Sequence, residues 1–450
     1  MKKIFILSII LIITNFAQSQ NIIRKGYLGI RGIENNDSIA NSKNLNINFG
    51  VIVTEIFPNS TAENLGIIRE DIIVKINSKE IKDLKSLRAI STGLKSKEKI
   101  EIYIIRNNDE LILNGEVAPL PFEKSEDYEI IYDEVKFKDG FIRIIINKPF
   151  GNQKFKSIFF IPGYTCFSLD NLGKHPYGQL IDGLCKRGYI VFRSEKPGIG
   201  DNTNTPDCSE IDYITELEAF EVAYNKLKTY DFVDKNNLFI FGHSLGGYEA
   251  PMIAQRNGAK GVIVCGTGVK SWFEYIIEMF RFQNIIAGAD YVENEKFIFE
   301  VIPLLFDYLI KKIPPLQLSE NSDYKKLLFD CFEYDGNEHI WSRNYKYWQQ
   351  IQDLNMLEIW KGVSGKVLVI RGEADYQAFS DNDHKMIADI VNFYNPQNAK
   401  FILIPNMDHG FAKSKTPEES YKNSQIKGYY YENFNPIIID IVDDWIQSLD

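Results

Sequence analysis

Histidine and cysteine are scarce in this chain, five of each in 450 residues, and what is missing narrows the possible functions. None of Cys166, Cys185, Cys208, Cys265 and Cys331 belongs to a C-x-x-C pair, which removes support for a zinc ribbon or a thioredoxin-type redox motif. The odd count leaves at least one thiol unpaired within the chain. No basic stretch offsets the net charge of −10, so a nucleic-acid footprint is not expected, and the acidic balance mainly supports solubility. No Gly-Lys-Ser/Thr follows a glycine-rich turn, which removes a phosphate loop. Past the N-terminus no apolar run reaches the roughly 18 residues of a membrane span. Internal repeats and low-complexity tracts are also missing. What is present is globular: 44% hydrophobic and 25% charged residues, in a length that suggests two or three domains.

The N-terminus has the pattern of an export signal, assigned to residues 1–19. Lys2 and Lys3 precede an apolar run at residues 4–13, broken only by Ser8, and Ala17-Gln18-Ser19 offers small residues at a cleavage site. The run is too short to span a bilayer comfortably, although an uncleaved anchor is the alternative. A periplasmic or secreted protein with no stable membrane span after cleavage is expected. No cysteine lies near the cleavage point to carry a lipid.

Residues 24–117 form one unit. β-branched runs bounded by turn residues predict strands at "FGVIVTEI" and "KIEIYIIRN", and apolar residues at 84, 87, 90 and 94 predict a helix. The segments "GYLGI", "NLGI" and "REDIIVKIN" resemble the PDZ family. Glu70-Asp71 and Asn77-Ser78 depart mildly from the family's Gly-Asp and Asn-Gly turns. The resemblance implies a groove that receives a peptide or partner C-terminus as an added strand, with the amides of Leu28, Gly29 and Ile30 capturing its carboxylate. A groove filled by the protein's own chain is the competing expectation. Residues 118–127, with two prolines and a charged run, read as a linker with little to pack.

From Tyr128 onward, short apolar strands alternate with helical segments, which predicts a mostly parallel sheet covered on both faces. Residues 269–360 break the rhythm and read as a helical, aromatic-rich cap inserted between two strands. The stretch "FIFGHSLGGYEAP", residues 239–251, runs from a buried strand through a glycine-flanked serine into a helix. A hydroxyl is a weak nucleophile that needs a base nearby and a position clear of the sheet, and a tight strand-turn-helix junction supplies the second. Gly242 and Gly246 allow strand and helix to approach closely. The amide of Leu245, at the helix start, is placed to meet a developing oxyanion.

With this context the motif resembles the nucleophile elbow of the α/β-hydrolase superfamily, of the esterase-like or serine-aminopeptidase-like branch, over residues 128–450. The resemblance implies a doubly wound α/β-hydrolase sheet and the chain order nucleophile, acid, histidine. Ser244 is then the nucleophile. His409, in "NMDHGF" after the final strand, is the base, and Asp375, in "RGEADY" after the preceding strand, orients it. Glu373 is the runner-up acid, and Asp408 is a neighbour of His409. His243, inside the elbow, points away from the nucleophile in most relatives. The loop "IPGYTCFSLD" supplies a second oxyanion donor, the amide of Tyr164 after Gly163. The loop "SEKPGIGDNTNTPDC" resembles the family's Asp-x-x-Gly-x-Gly segment, with Glu195 or Lys196 at the acidic place, or is a plain crossover loop.

Cys166 and Cys208 stand on loops at the carboxyl ends of the third and fourth hydrolase strands. Either they form a disulfide or both are free, since no spacing rule fixes connectivity. Cys185 and Cys265 read as core thiols. The expected activity is acyl transfer to water by an exported serine hydrolase without metal or organic cofactor. A small-molecule ester is favoured slightly over a peptide as substrate. A serine aminopeptidase-like enzyme, or a PDZ-based scaffold with a vestigial triad, are the alternatives.

Overall fold

The computed structural model describes residues 21–450; the export-signal expectation for residues 1–19 lies outside them. Six strands build the N-terminal sheet: β1 (Ile30–Glu34), β2 (Val51–Ile56), β3 (Ile72–Ile76), β4 (Lys79–Glu80), β5 (Lys99–Arg106) and β6 (Asp109–Glu116). Their order is β1-β2-β3-β5-β6, with β4 paired to β3. One face buries Val51, Val53, Ile73, Ile76, Ile102 and Ile104. The helix Leu84–Thr92 starts at Asp83, whose carboxylate accepts from Ser86 N in a capping box. The two turns that depart from the PDZ pattern each hold a left-handed residue, Glu70 in the family's glycine place and Asn77 in its asparagine place. Glu70 and Asn77 both take positive φ, +73° and +52°. Next to Glu70, Asp71 binds Arg106 through both oxygens at 2.7 Å, which holds the strained turn.

The second sheet has eight strands: β7 (Tyr128–Phe137), β8 (Gly140–Pro149), β9 (Phe155–Ile161), β10 (Ile190–Ser194), β11 (Val233–His243), β12 (Gly261–Cys265), and, beyond two short cap strands β13 (His339–Ile340) and β14 (Arg343–Asn344), β15 (Lys366–Gly372) and β16 (Ala399–Ile404). The order is β7-β8-β10-β9-β11-β12-β15-β16, parallel from β10 to β16 and antiparallel at β8. Because helices cover both faces, the strands are apolar on both sides. Along β9, Phe159 and Ile161 enter one core while Ile158 and Phe160 enter the other. With an elbow at the end of β11, this is the α/β-hydrolase fold. Six α-helices between Trp272 and Lys361 form the cap between β12 and β15. Among the described residues no helix is long and apolar enough to cross a membrane.

Residues 118–127 depart from the expectation of a segment with little to pack. Ala118 is buried. Phe122 packs edge-on against Tyr132 with ring centres 4.5 Å apart, and Glu123 pairs with the buried Arg193 at 2.7 Å. The cause is Arg24. Its guanidinium donates to the carbonyls of Leu120 and Pro121 at 2.7 and 2.8 Å, to Asp201 at 2.7 Å, and to Asp170. A single buried cation thus ties the segment before the PDZ strands to two loops of the hydrolase sheet. Composition alone conceals this, because the partners are backbone carbonyls and residues about 150 or more positions away.

Candidate active site

The elbow is strained at its serine. Ser244 has φ +56°, a region that β-carbon-bearing residues rarely occupy. The strain holds because the turn is locked from both sides. Ser244 N donates to Cys265 O at 2.9 Å, and the glycines leave no room to relax. A Cβ on Gly242 would stand 2.2 Å from Gly246 O, and one on Gly246 would stand 2.5 Å from Ile161 O. Leu245 caps the helix Gly246–Asn257, so its amide belongs to the positive end of the helix.

Around Ser244 lies a narrow cleft of about 80 Å³, lined by Tyr164, Leu245, His409 and the aromatic rings of Tyr248, Trp272, Tyr275 and Phe379. Gly163 brings the neighbouring loop against Ser244: a Cβ there would lie 3.4 Å from Ser244 Oγ. Among the described residues, neither Leu245 N nor Tyr164 N is donated to a protein acceptor. Ser244 and His409 line the same cleft, with no hydrogen bond between Ser244 Oγ and the His409 ring.

His409 and Asp375 are joined, Nδ1 to Oδ2, at 2.9 Å. Asp375 is buried, and its other oxygen accepts from Gln377 N at 2.8 Å and Ala378 N at 2.7 Å. A carboxylate only accepts, so His409 Nδ1 carries the proton and Nε2 is left as the unprotonated, proton-accepting nitrogen. Burial alone raises the Asp375 carboxyl, but the facing His409 and these donors outweigh it and hold the carboxyl at about 2. Burial lowers the His409 imidazolium, and the Asp375 charge more than restores it, so its net displacement is upward.

The competing groups are all placed away from His409 Nδ1 or engaged elsewhere. Glu373 is exposed. Asp408 spends its oxygens on Ala412 N, Ser414 Oγ and Ser420 Oγ, which shapes the loop that presents His409. His243 points away from the cleft. Its Nδ1 accepts from Tyr177 Oη at 2.6 Å and its Nε2 donates to His409 O at 2.8 Å. Burial and the neighbouring His409 pull its pKa down to about 3, so it remains neutral and serves as a strut beneath the catalytic loop. His175 caps the helix Pro176–Lys186, His339 pairs with Asp335 and Glu210 on the cap, and His384 bridges Thr267 N and Ser380 O.

Cys166 and Cys208 form a disulfide with Cα atoms 5.9 Å apart, tying the loop after β9 to the loop after β10. Cys185 and Cys265 are buried free thiols, and Cys331 is a partly exposed one. Glu195, on the second loop, is buried and accepts from Leu169 N at 3.0 Å and from Ser168 Oγ; burial raises its carboxyl to about 7. Lys196, beside it, turns toward the cleft loop, where it meets Glu216 and Arg343. Sequence reading missed this group. The one available signal was Glu216 itself, a carboxylate in the apolar stripe 213, 217, 220, 224 of its helix.

In the PDZ unit, Gly29 has φ +69° and no space for a Cβ, which would lie 2.1 Å from Ser60 Cβ. Phe57 N and Ala62 N hold the carbonyls of Gly29 and Leu28, while among the described residues the amides of Leu28 and Gly29 have no protein acceptor. Ile30 opens β1, opposite Ile56. This strand is an edge of its sheet, and the helix Leu84–Thr92 lies beside it.

Comparisons with known proteins agree with both halves. Residues 26–117 match the family model described as PDZ domain. The chain is 23% identical to Esterase EstD of Thermotoga maritima over 328 residues, covering 69% of this chain and 71% of that protein. It is 39% identical over 85 residues to a probable periplasmic serine endoprotease DegP-like of Buchnera aphidicola, a match that takes in 19% of this chain and only 18% of the protease. Among solved structures, Est1E from Butyrivibrio proteoclasticus with bound ferulic acid is 14% identical, covering 70% of this chain and 98% of that one at a TM-score of 0.45. The acylaminoacyl peptidase of Pyrococcus horikoshii is 16% identical, covering 80% and 49% at a TM-score of 0.41. The chain joins a PDZ domain to a hydrolase-like domain of the α/β-hydrolase fold.

Proposed function

We propose that the protein is an exported serine hydrolase that cleaves carboxylic esters through an acyl-enzyme on Ser244. The observation that carries this reading is the convergence on one cleft of a serine held at φ +56°, two unengaged amides at Leu245 and Tyr164, and the His409–Asp375 pair at 2.9 Å. His409 Nε2 takes the Ser244 proton as Oγ attacks the ester carbonyl. The carbonyl oxygen becomes an oxyanion and accepts from the Leu245 and Tyr164 amides. Collapse expels the alcohol, which leaves with the proton from His409. Water then repeats the sequence on the acyl-enzyme and releases the acid. Asp375 holds the tautomer and stabilises the imidazolium, and no metal or organic cofactor enters any step.

An ester substrate is favoured because its cleavage is chemically easier than that of an amide, and because the relative matched along most of both chains is named an esterase. The aromatic walls of the cleft suit an apolar acyl or alcohol group. Export is supported by the N-terminal residue pattern, by the periplasmic names of the PDZ relatives, and by the disulfide, which an oxidising compartment preserves. The PDZ unit docks peptides or partner proteins by a free C-terminus at Leu28, Gly29 and Ile30.

A panel of aryl esters and aminoacyl amides tests the reaction class. Turnover of esters with weak or no turnover of amides is expected, lost in Ser244→Ala. Turnover of amides at rates equal to esters would move the assignment to a peptidase.

A further inference from the structure

Three buried charged side chains with no part in the proposed chemistry meet behind the loop that carries Tyr164. Lys196 comes from the loop after β10, Glu216 from the helix Tyr213–Leu227, and Arg343 from β14 of the cap. They are 2%, 1% and 1% exposed. Burying such groups costs several kcal/mol each before pairing, and apolar side chains of similar size stabilise a core at least as well. Stability therefore does not account for this cluster.

Its contacts point to one target. Lys196 Nζ donates to Glu216 Oε1 at 2.9 Å and to Gly163 O at 2.7 Å. Arg343 donates to Glu216 Oε2 at 2.8 Å through one nitrogen and to Tyr164 O at 2.7 Å through the other. The Arg343 guanidinium lies 3.9 Å from the Tyr347 ring centre, and Tyr347 Oη also donates to Glu216 at 3.0 Å. One carboxylate thus aligns two cations, and each cation grips one of two successive carbonyls, Gly163 and Tyr164.

The geometry of the peptide unit turns this grip into a direction. Gly163 C=O and Tyr164 N–H belong to the same planar trans unit, in which the carbonyl and the amide point opposite ways. With Gly163 O held by Lys196 on the far side, Tyr164 N–H is turned away from the cluster. Gly163 itself lies against Ser244, where a Cβ on it would stand 3.4 Å from Oγ, and the Tyr164 amide has no protein acceptor among the described residues. The grip on Tyr164 O fixes the following unit, so the plane cannot flip about either flanking bond. A cation on the carbonyl also draws electron density from the unit and strengthens its N–H as a donor.

We propose that Lys196 and Arg343, aligned by Glu216, are positioning residues that aim the Tyr164 amide at the developing oxyanion, so that the cap takes part in the oxyanion site through Arg343. This rests on the serine-hydrolase reading above. It assigns a role to a loop whose sequence left open whether it was more than a crossover, and it makes catalysis depend on the seating of the cap.

Lys196→Met in the full-length protein tests the proposal, because it frees Gly163 O and leaves the Arg343–Glu216 pair balanced; Glu249, buried beside Glu216, is held protonated by burial and by the Glu216 charge and adds no charge of its own. Active sites are counted first by fluorophosphonate titration, and rates are expressed per titrated site. Removing an oxyanion donor outright costs about 10²–10³ in rate, so losing its alignment is expected to lower kcat/KM roughly 10- to 100-fold. Three readouts separate alignment from a merely structural role. KM should stay within about threefold. The acid limb of the pH profile, which reports His409, should not move. Inhibition by an aryl trifluoromethyl ketone, whose adduct carries the oxyanion, should weaken by the same factor as kcat/KM. If K196M does not accumulate, R343M carries the same test, since it frees Tyr164 O and leaves the Lys196–Glu216 pair balanced. A kcat/KM within threefold of wild type, or a rate loss with unchanged ketone affinity, would overturn the proposal. If the wild type itself fails to label at Ser244, the serine-hydrolase reading fails instead, and the two failures are told apart by that control.

Discussion

In the function proposed above, the PDZ unit and the hydrolase domain each offer backbone amides, one to a carboxylate and the other to an oxyanion, and they hold those amides in place differently. In the PDZ unit the donors at Leu28 and Gly29 are set by local conformation: a positive φ at Gly29, with carbonyls tied to Phe57 N and Ala62 N. In the hydrolase the Tyr164 amide is set from a distance, by side chains at 196, 216 and 343. Local conformation leaves a local sequence signature, "GYLGI". Distant side chains leave none that can be read without the fold. The contrast also separates their expected fragilities: the PDZ amides should be lost at a glycine, and the Tyr164 amide at residues distant from it in sequence.

The largest effects belong to the hydrolase side chains. Ser244→Ala and His409→Ala are each expected to lower kcat/KM on an aryl acetate by on the order of 10⁴-fold or more. Asp375→Asn is expected to cost about 10⁴-fold, because an amide facing Nδ1 favours the wrong tautomer. The pH profile sharpens this. His409 must be neutral to accept a proton, and Asp375 raises its pKa, so activity should fall as pH drops through a value above the usual 6.5 of histidine. In Asp375→Asn the acid limb should shift to lower pH; an unmoved limb would mean that another group titrates.

An intermediate effect is expected at the disulfide. Cys166 and Cys208 close a span of 42 residues. Replacing both with serine should lower stability by about 2–4 kcal/mol, measured as a drop in the midpoint of denaturant unfolding. Because the bond ties the Tyr164 loop to the Lys196 loop, kcat should fall as well. Unchanged kcat with lowered stability would confine the bond to a structural role.

The smallest effect on turnover, and the one that most sharply divides the two halves, is expected from Gly29→Ala. Alanine there meets Ser60 and a positive φ, so binding of a peptide with a free C-terminus should be lost while turnover of a small aryl ester stays near wild type. Amidating the peptide should weaken its binding to the wild type, which is expected to be micromolar or weaker. Equal binding of acid and amide forms would remove carboxylate capture.

The residues that meet in the candidate site were legible because the α/β-hydrolase fold imposes an order on the chain. A strand running into Gly-His-Ser-Leu-Gly-Gly has few structural uses. With only five histidines, the one following the final strand was quickly singled out. The alternation from Tyr128 onward fixed a covered parallel sheet, and the helical break at 269–360 marked the cap. What escaped were buried polar contacts between distant segments. His243 as a strut depends on Tyr177, 66 residues earlier. Arg24 as a clamp depends on Asp170 and Asp201. The Lys196–Glu216–Arg343 group draws on three elements. Hydrophobic periodicity locates what is buried among apolar neighbours, but it does not reveal which charge meets which carbonyl.

Peptide mapping by mass spectrometry after treatment of the full-length protein with a fluorophosphonate tests the central claim most directly. One phosphonyl group per chain, on the peptide carrying Ser244 and lost in Ser244→Ala, is the predicted result. An unlabelled wild type, or a label that persists elsewhere in Ser244→Ala while turnover continues, would contradict it.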